Sequence, residues 1–172
     1  MKGPSTRLTW VLLAGGCAVA TAASLLMTDW LGLEPCHLCI FQRLLFMVLT
    51  VLGVGAALTA GRQGTRVIGR ALGGLTIPIS ATGVGVAAYQ SWLQHQPLDT
   101  VSCVGGPPGL IERWVEWLAQ YAPNLFMATG FCEDESLLIL GLSLANWALI
   151  AFALCLAAAV SALWRSRSPA ET

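Results

Sequence analysis

The sequence predicts an all-α membrane protein, a four-transmembrane-helix bundle with two loops on one side, the second carrying a short amphipathic helix. Three observations carry this. The 172 residues are 56% hydrophobic and only 10% charged, with a mean hydropathy of +0.70, whereas a soluble domain carries about 25% charged residues. So few charges do not cover a water-soluble globule, and the bilayer is the expected solvent. The apolar residues fall into four runs, each at or above the ~20 residues that a helix needs to cross the hydrocarbon core. The charges sum to zero, yet they are sorted by sign between alternate connections.

The first run, 8–28, is uncharged between Arg7 and Asp29. A signal peptide is the competing reading, with Leu13-Ala14-Gly15-Gly16-Cys17 as a faint cleavage box, but the run exceeds the usual ~7–15 apolar residues of such a segment. The second span is expected at 38–60. A basic turn, Gly61-Arg62-Gln63-Gly64-Thr65-Arg66, leads to the third at 71–92, where Pro78 predicts a kink and Gly73, Gly74, Gly83 and Gly85 allow close helix approach. The fourth lies within 137–164, longer than a crossing requires, so it either tilts or begins outside the core. The whole chain, 1–172, is read as one integral membrane domain with loops at 29–37 and 93–136. No internal repeat or low-complexity segment is seen.

Lys2, Arg7, Arg62, Arg66, Arg70, Arg165 and Arg167 fall on one side of these spans, and Asp29, Glu34, Asp99, Glu112, Glu116, Glu133, Asp134 and Glu135 on the other. The positive-inside rule then puts both termini in the cytoplasm. Within the long loop, Pro107-Pro108-Gly109 precedes a helical pattern over Leu110–Tyr121. Ile111, Trp114, Val115 and Leu118 form its apolar face, which either lies in the membrane interface or packs on the end of the bundle.

Of six cysteines, Cys17 and Cys155 lie inside apolar runs and read as ordinary small buried residues. Cys36, Cys39, Cys103 and Cys132 lie outside the core of the runs, on the acidic side, where disulfides persist. Cys36-His37-Leu38-Cys39 follows Pro35 at the start of the second span. A cysteine in a first helical turn meets the positive end of the helix dipole, and Arg43 stands one turn on from Cys39; both favour the reactive thiolate. The pair reads as a redox disulfide, with a structural disulfide or half of a zinc site as alternatives; haem attachment would need His where Ile40 stands. Cys103 and Cys132 either staple the loop or form a second redox pair that exchanges with the first. Arg43, the one basic residue within a predicted span, either snorkels or serves a site. His95 reads as an interface residue.

Glu34-Pro35-Cys36-His37-Leu38-Cys39-Ile40-Phe41-Gln42-Arg43 resembles the Pro-Cys-x-Leu-Cys-x-x-x-Arg signature of the disulfide bond formation protein B family, and the resemblance extends through Ala128-Thr129-Gly130-Phe131-Cys132 and Leu140-Gly141-Leu142. It implies a bacterial inner-membrane bundle that reoxidises a soluble, periplasmic DsbA-like thiol oxidoreductase and passes the electrons to ubiquinone, with menaquinone as the other candidate. It implies that Cys103 forms the mixed disulfide with the partner, Cys132 exchanges with Cys36, Cys39 stands next to the quinone, and Arg43 is the quinone-side cation. No metal and no nucleic acid are implied. Three positions depart from the family pattern: Gln42 where relatives carry Glu, Gln90 where relatives carry His, and Leu137 in place of a Trp. Two other functions compete: a quinone reductase like vitamin K epoxide reductase, whose CxxC lies late in the chain rather than after the first span, and a non-catalytic scaffold with structural disulfides.

Overall fold

The structure, a computed structural model, describes residues 3–60, 63–96, 109–130 and 137–167. Its elements in chain order are α1 (Gly3–Leu31), α2 (His37–Thr59), a 3₁₀ turn (Gln63–Thr65), α3 (Arg66–Gln94), α4 (Leu110–Tyr121), α5 (Pro123–Phe126), β1 (Leu138–Ile139), β2 (Leu142–Ser143) and α6 (Leu144–Arg167). Four of these, α1, α2, α3 and α6, are long and apolar enough to cross a membrane. The shortest such stretch, 22 residues in α6, extends ~33 Å at 1.5 Å per residue, enough for a ~30 Å hydrocarbon core.

The four long helices pack in sequence order, α1 on α2, α2 on α3 and α3 on α6, and α6 closes back onto α1 across the thinnest seam. Trp10, Leu13, Leu45, Leu49, Ala56, Phe152 and Ala159 fill the interior. Phe46 and Phe152 stack with centroids 4.0 Å apart and planes 7° from parallel. That stack requires Gly83 on α3, since a Cβ there would collide with the Phe152 ring. The outer faces carry Leu12, Val19, Val51, Leu58 and Leu154, all more than half exposed. In water such a surface would be an aggregation liability; facing lipid tails it is the expected coat.

The sequence pattern expects the fourth span from 137, but the helix starts at Leu144. Leu138–Ile139 and Leu142–Ser143 instead pair as an antiparallel hairpin. Its two-residue turn, Leu140-Gly141, has positive φ at both positions (54° and 79°), the signature of a primed hairpin turn. Ser143 then accepts a hydrogen bond from the Asn146 backbone N–H (3.4 Å) and donates to Gln94 Oε1 (2.8 Å). The turn and the cap, not a change in hydropathy, set where the helix begins.

Helix α4 presents Ile111, Val115, Leu118 and Ala119 to Ile40, Phe126 and the outer end of α2. Trp114, expected on that face, is 60% exposed. At 100° per residue it lies a full step round from Val115, and it joins Trp117 and Tyr121 in an edge-to-face aromatic cluster on the outer side.

Candidate functional site

The Pro35-Cys36 step opens α2. Cys36 is its N-cap in extended geometry (φ −82°, ψ 169°), and its Sγ accepts from the Cys39 backbone N–H at 3.4 Å. The capping arrangement turns both side chains inward, so that Cys36 Sγ and Cys39 Sγ stand 3.2 Å apart. Cys36 is buried and Cys39 half-buried. The sulfurs therefore need only a small approach to form an S–S bond.

The chain on the far side of α4 docks against this turn. Thr129 and Gly130 donate their backbone N–H groups to the Pro35 carbonyl at 3.0 and 3.2 Å. Gly130 lies so close that a Cβ would overlap the Glu34 carbonyl. Only glycine permits this approach of backbone to backbone. Cys103 and Cys132, the other two candidate cysteines, lie outside the described residues.

Arg43 is 3% exposed and sits one turn along α2 from Cys39. The sequence reading aims it at the sulfur; the structure turns its guanidinium toward α1. Nε donates to Ser24 Oγ (3.1 Å), Nη2 to Thr28 Oγ1 (2.9 Å) and to the Ser24 carbonyl (3.3 Å), and Nη1 to the Leu125 carbonyl (3.1 Å). Arg43 thus ties α1, α2 and the loop together, and of its five N–H groups one, on Nη1, remains for a ligand. The side-chain donor to the sulfurs comes instead from α3: Gln90 Nε2 lies 3.0 Å from Cys39 Sγ and 3.6 Å from Cys36 Sγ. Gln42 Nε2 donates to Gln90 Oε1 at 2.8 Å.

Cys39, Gln42, Arg43 and Gln90 share one end of a cavity of about 500 Å³. Its walls are the small residues Ala20 and Ala23 of α1 and Ala145, Ala148 and Ala151 of α6; Phe46 lies toward the bundle interior, and Ile139 and Leu140 of the hairpin close one side. The hairpin is held there by the Trp147 indole, which donates to the Ile139 carbonyl at 3.0 Å. A largely apolar space of this size with a few polar groups at one end is the usual form of a small-molecule site.

A family model described as disulfide bond formation protein DsbB matches residues 6–162. The chain belongs to the DsbB family. It is 41% identical to Disulfide bond formation protein B of Dechloromonas aromatica over 155 residues, 90% of each chain. To that of Azoarcus sp. it is 38% identical, covering 86% of this chain and 84% of the relative, and to that of Aromatoleum aromaticum 33% identical, covering 95% of both. Within this DsbB-family chain, Cys39 and Arg43 line one cavity, and Cys36 adjoins it through its 3.2 Å contact with Cys39. Sequence reasoning noted Gln42 and Gln90 only as departures from the family pattern. The available signal was their polarity inside apolar spans, where an amide without a partner is costly.

Proposed function

We propose that this DsbB-family protein is a disulfide-forming oxidoreductase that takes electrons from a periplasmic DsbA-like dithiol protein and delivers them to membrane quinone. The observation that carries the reading is the juxtaposition of two cysteine sulfurs, 3.2 Å apart, with a largely apolar cavity lined by Cys39, Arg43 and Gln42. A scaffold with structural disulfides has no need of that cavity beside its sulfurs.

Each residue then has a task. The Cys36 and Cys39 thiols release two electrons and two protons as their S–S bond forms. A quinone held in the cavity, ubiquinone or menaquinone, is a two-electron, two-proton acceptor. Arg43 keeps one N–H for a carbonyl oxygen, and its charge, fixed by four hydrogen bonds, is available without reorganisation. The small alanine side chains of α1 and α6 leave room for the ring, and Phe46 offers it a face. In the loop, the partner's thiolate attacks Cys103 of a Cys103–Cys132 disulfide, and Cys132 leaves as thiolate. Cys132 then attacks Cys36 of the Cys36–Cys39 disulfide and Cys39 leaves as thiolate, while the partner's second thiol displaces Cys103 to complete its own disulfide. Gly130, two residues before Cys132 in sequence, is bonded to the carbonyl one residue before Cys36, and this docking supports an exchange between the two cysteines. Positive charge on the Arg70 and Arg165 side supports an inner-membrane orientation with cytoplasmic termini and periplasmic thiols.

The test is a coupled assay with purified protein, a reduced DsbA-like partner and ubiquinone. One quinol is expected for every two partner thiols lost. Thiol oxidation with no quinone reduction, or none of either, would refute the reading.

A further inference from the structure

Gln42 and Gln90 are 5% and 3% exposed, on two different spanning helices. A hydrophobic side chain in either place would pack without the cost of burying an amide. The two amides are ordered by one another. Gln42 Nε2 donates to Gln90 Oε1 at 2.8 Å. An amide carries its acceptor and its donors at opposite ends, so engaging Oε1 from one side sends Nε2 to the other. There it lies 3.0 Å from Cys39 Sγ and 3.6 Å from Cys36 Sγ. Arg43, the cation nearest in sequence, spends its bonds on Ser24, Thr28 and Leu125.

We propose that Gln90 is the group that solvates negative charge on the Cys39 sulfur, and that Gln42 is a positioning residue that keeps the donor end of the Gln90 amide turned toward it. The inference deepens the reading above and rests on it only in taking Cys36 and Cys39 as the working thiols. A sulfur anion is formed at this site whenever a thiol readies itself for exchange or an S–S bond is opened by attack. In a site shielded from water, a donor already pointing at that sulfur stabilises the anion without reorganising. The amide does not titrate, so its donor is present whatever the proton occupancy of its neighbours. Gln42, which does not touch sulfur, acts entirely through the orientation it imposes.

The experiment follows Cys39 alone. Fully reduced protein in detergent is treated with a small uncharged maleimide at fixed pH. The rate at Cys39 is read by peptide mass spectrometry, and the thiolate absorbance in the ultraviolet is recorded alongside. Gln90→Met keeps the side-chain length and removes the donor; about a tenfold slower reaction and a matching loss of thiolate absorbance are expected. Gln42→Met should slow it about threefold by freeing the amide to turn. The double variant should be no slower than Gln90→Met, because Gln42 has no effect except through Gln90. Gln90→His, which restores an N–H, should recover most of the rate and shows that the loss is not misfolding. A rate within twofold of the parent for Gln90→Met, a failure of Gln90→His to recover it, or independent multiplication of the two effects would each overturn the proposal. The readout uses neither a quinone nor a thiol partner, so a failed coupled assay and a failed result here are separate findings.

Discussion

Arg43 shows how one side chain joins chemistry to construction. Its charge lies at the polar end of the cavity while its hydrogen bonds hold Ser24 and Thr28 of α1 and the Leu125 carbonyl. Lysine would keep the charge but lose the planar fork that serves these acceptors together. Arg43→Lys is expected to slow quinone reduction about tenfold and Arg43→Ala about a hundredfold or more, the range seen when a preorganised donor is removed. Exchange between partner and loop cysteines should change far less. Stopped-flow kinetics with the two half-reactions followed separately checks this; slowed exchange with intact quinone reduction would make Arg43 an anchor only. The sequence placed Arg43 one turn from Cys39, and that spacing holds. It did not reveal that Gln90, rather than Arg43, reaches the sulfur, because a contact between residues 51 positions apart leaves no trace in local periodicity.

Among the elements, the docked segment around Gly130 has the most direct consequence. Its two N–H bonds to the Pro35 carbonyl depend on a backbone approach that no side chain permits. Gly130→Val should undock the segment and slow transfer from the loop cysteines to Cys36–Cys39 by tenfold or more, while maleimide labelling of Cys39 in reduced protein stays near the parent rate or rises. If transfer kept its rate, the docking would be irrelevant to exchange. The spanning helices were legible because long apolar runs have few alternatives, and α4 was legible through its 3.6-residue period. The hairpin before α6 was not. Leu138 to Leu142 is as apolar as the helix that follows, and only the positive φ of Leu140 and Gly141 separates them. The apolar face of α4 was placed one residue too wide for a related reason: hydrophobicity alone does not tell a tryptophan that packs from one that stays outside, and Trp114 stays outside.

At the scale of the whole molecule, contacts such as Arg43–Ser24, Thr59–Gly69, Ser91–Asn146 and Gly73–Leu163 make α1, α2, α3 and α6 alternate in direction, so the ends bearing Asp29, Cys36 and Gln94 lie together and the end of α6 bearing Arg165 lies opposite. Under the proposed orientation, a membrane-impermeant thiol reagent applied to reduced, sealed vesicles should label Cys36, Cys39, Cys103 and Cys132 from the periplasmic side. Labelling of Cys103 only from the cytoplasmic side would reverse the orientation. The Phe46–Phe152 stack against Gly83 bears on energetics. It packs the bundle interior where Phe46 lines the cavity, so under the proposed function the protons and electrons leaving Cys36 and Cys39 would be taken up on the side from which they came. No net charge would then traverse the bilayer, and turnover should be electrically silent. Moving one charge across 100 mV is worth about 2.3 kcal/mol, so even a quarter of a charge would alter the rate roughly threefold. In proteoliposomes clamped at opposite diffusion potentials the rate is expected to stay constant, and a steep dependence would mean that the aromatic stack does not separate the quinone site from the cytoplasm.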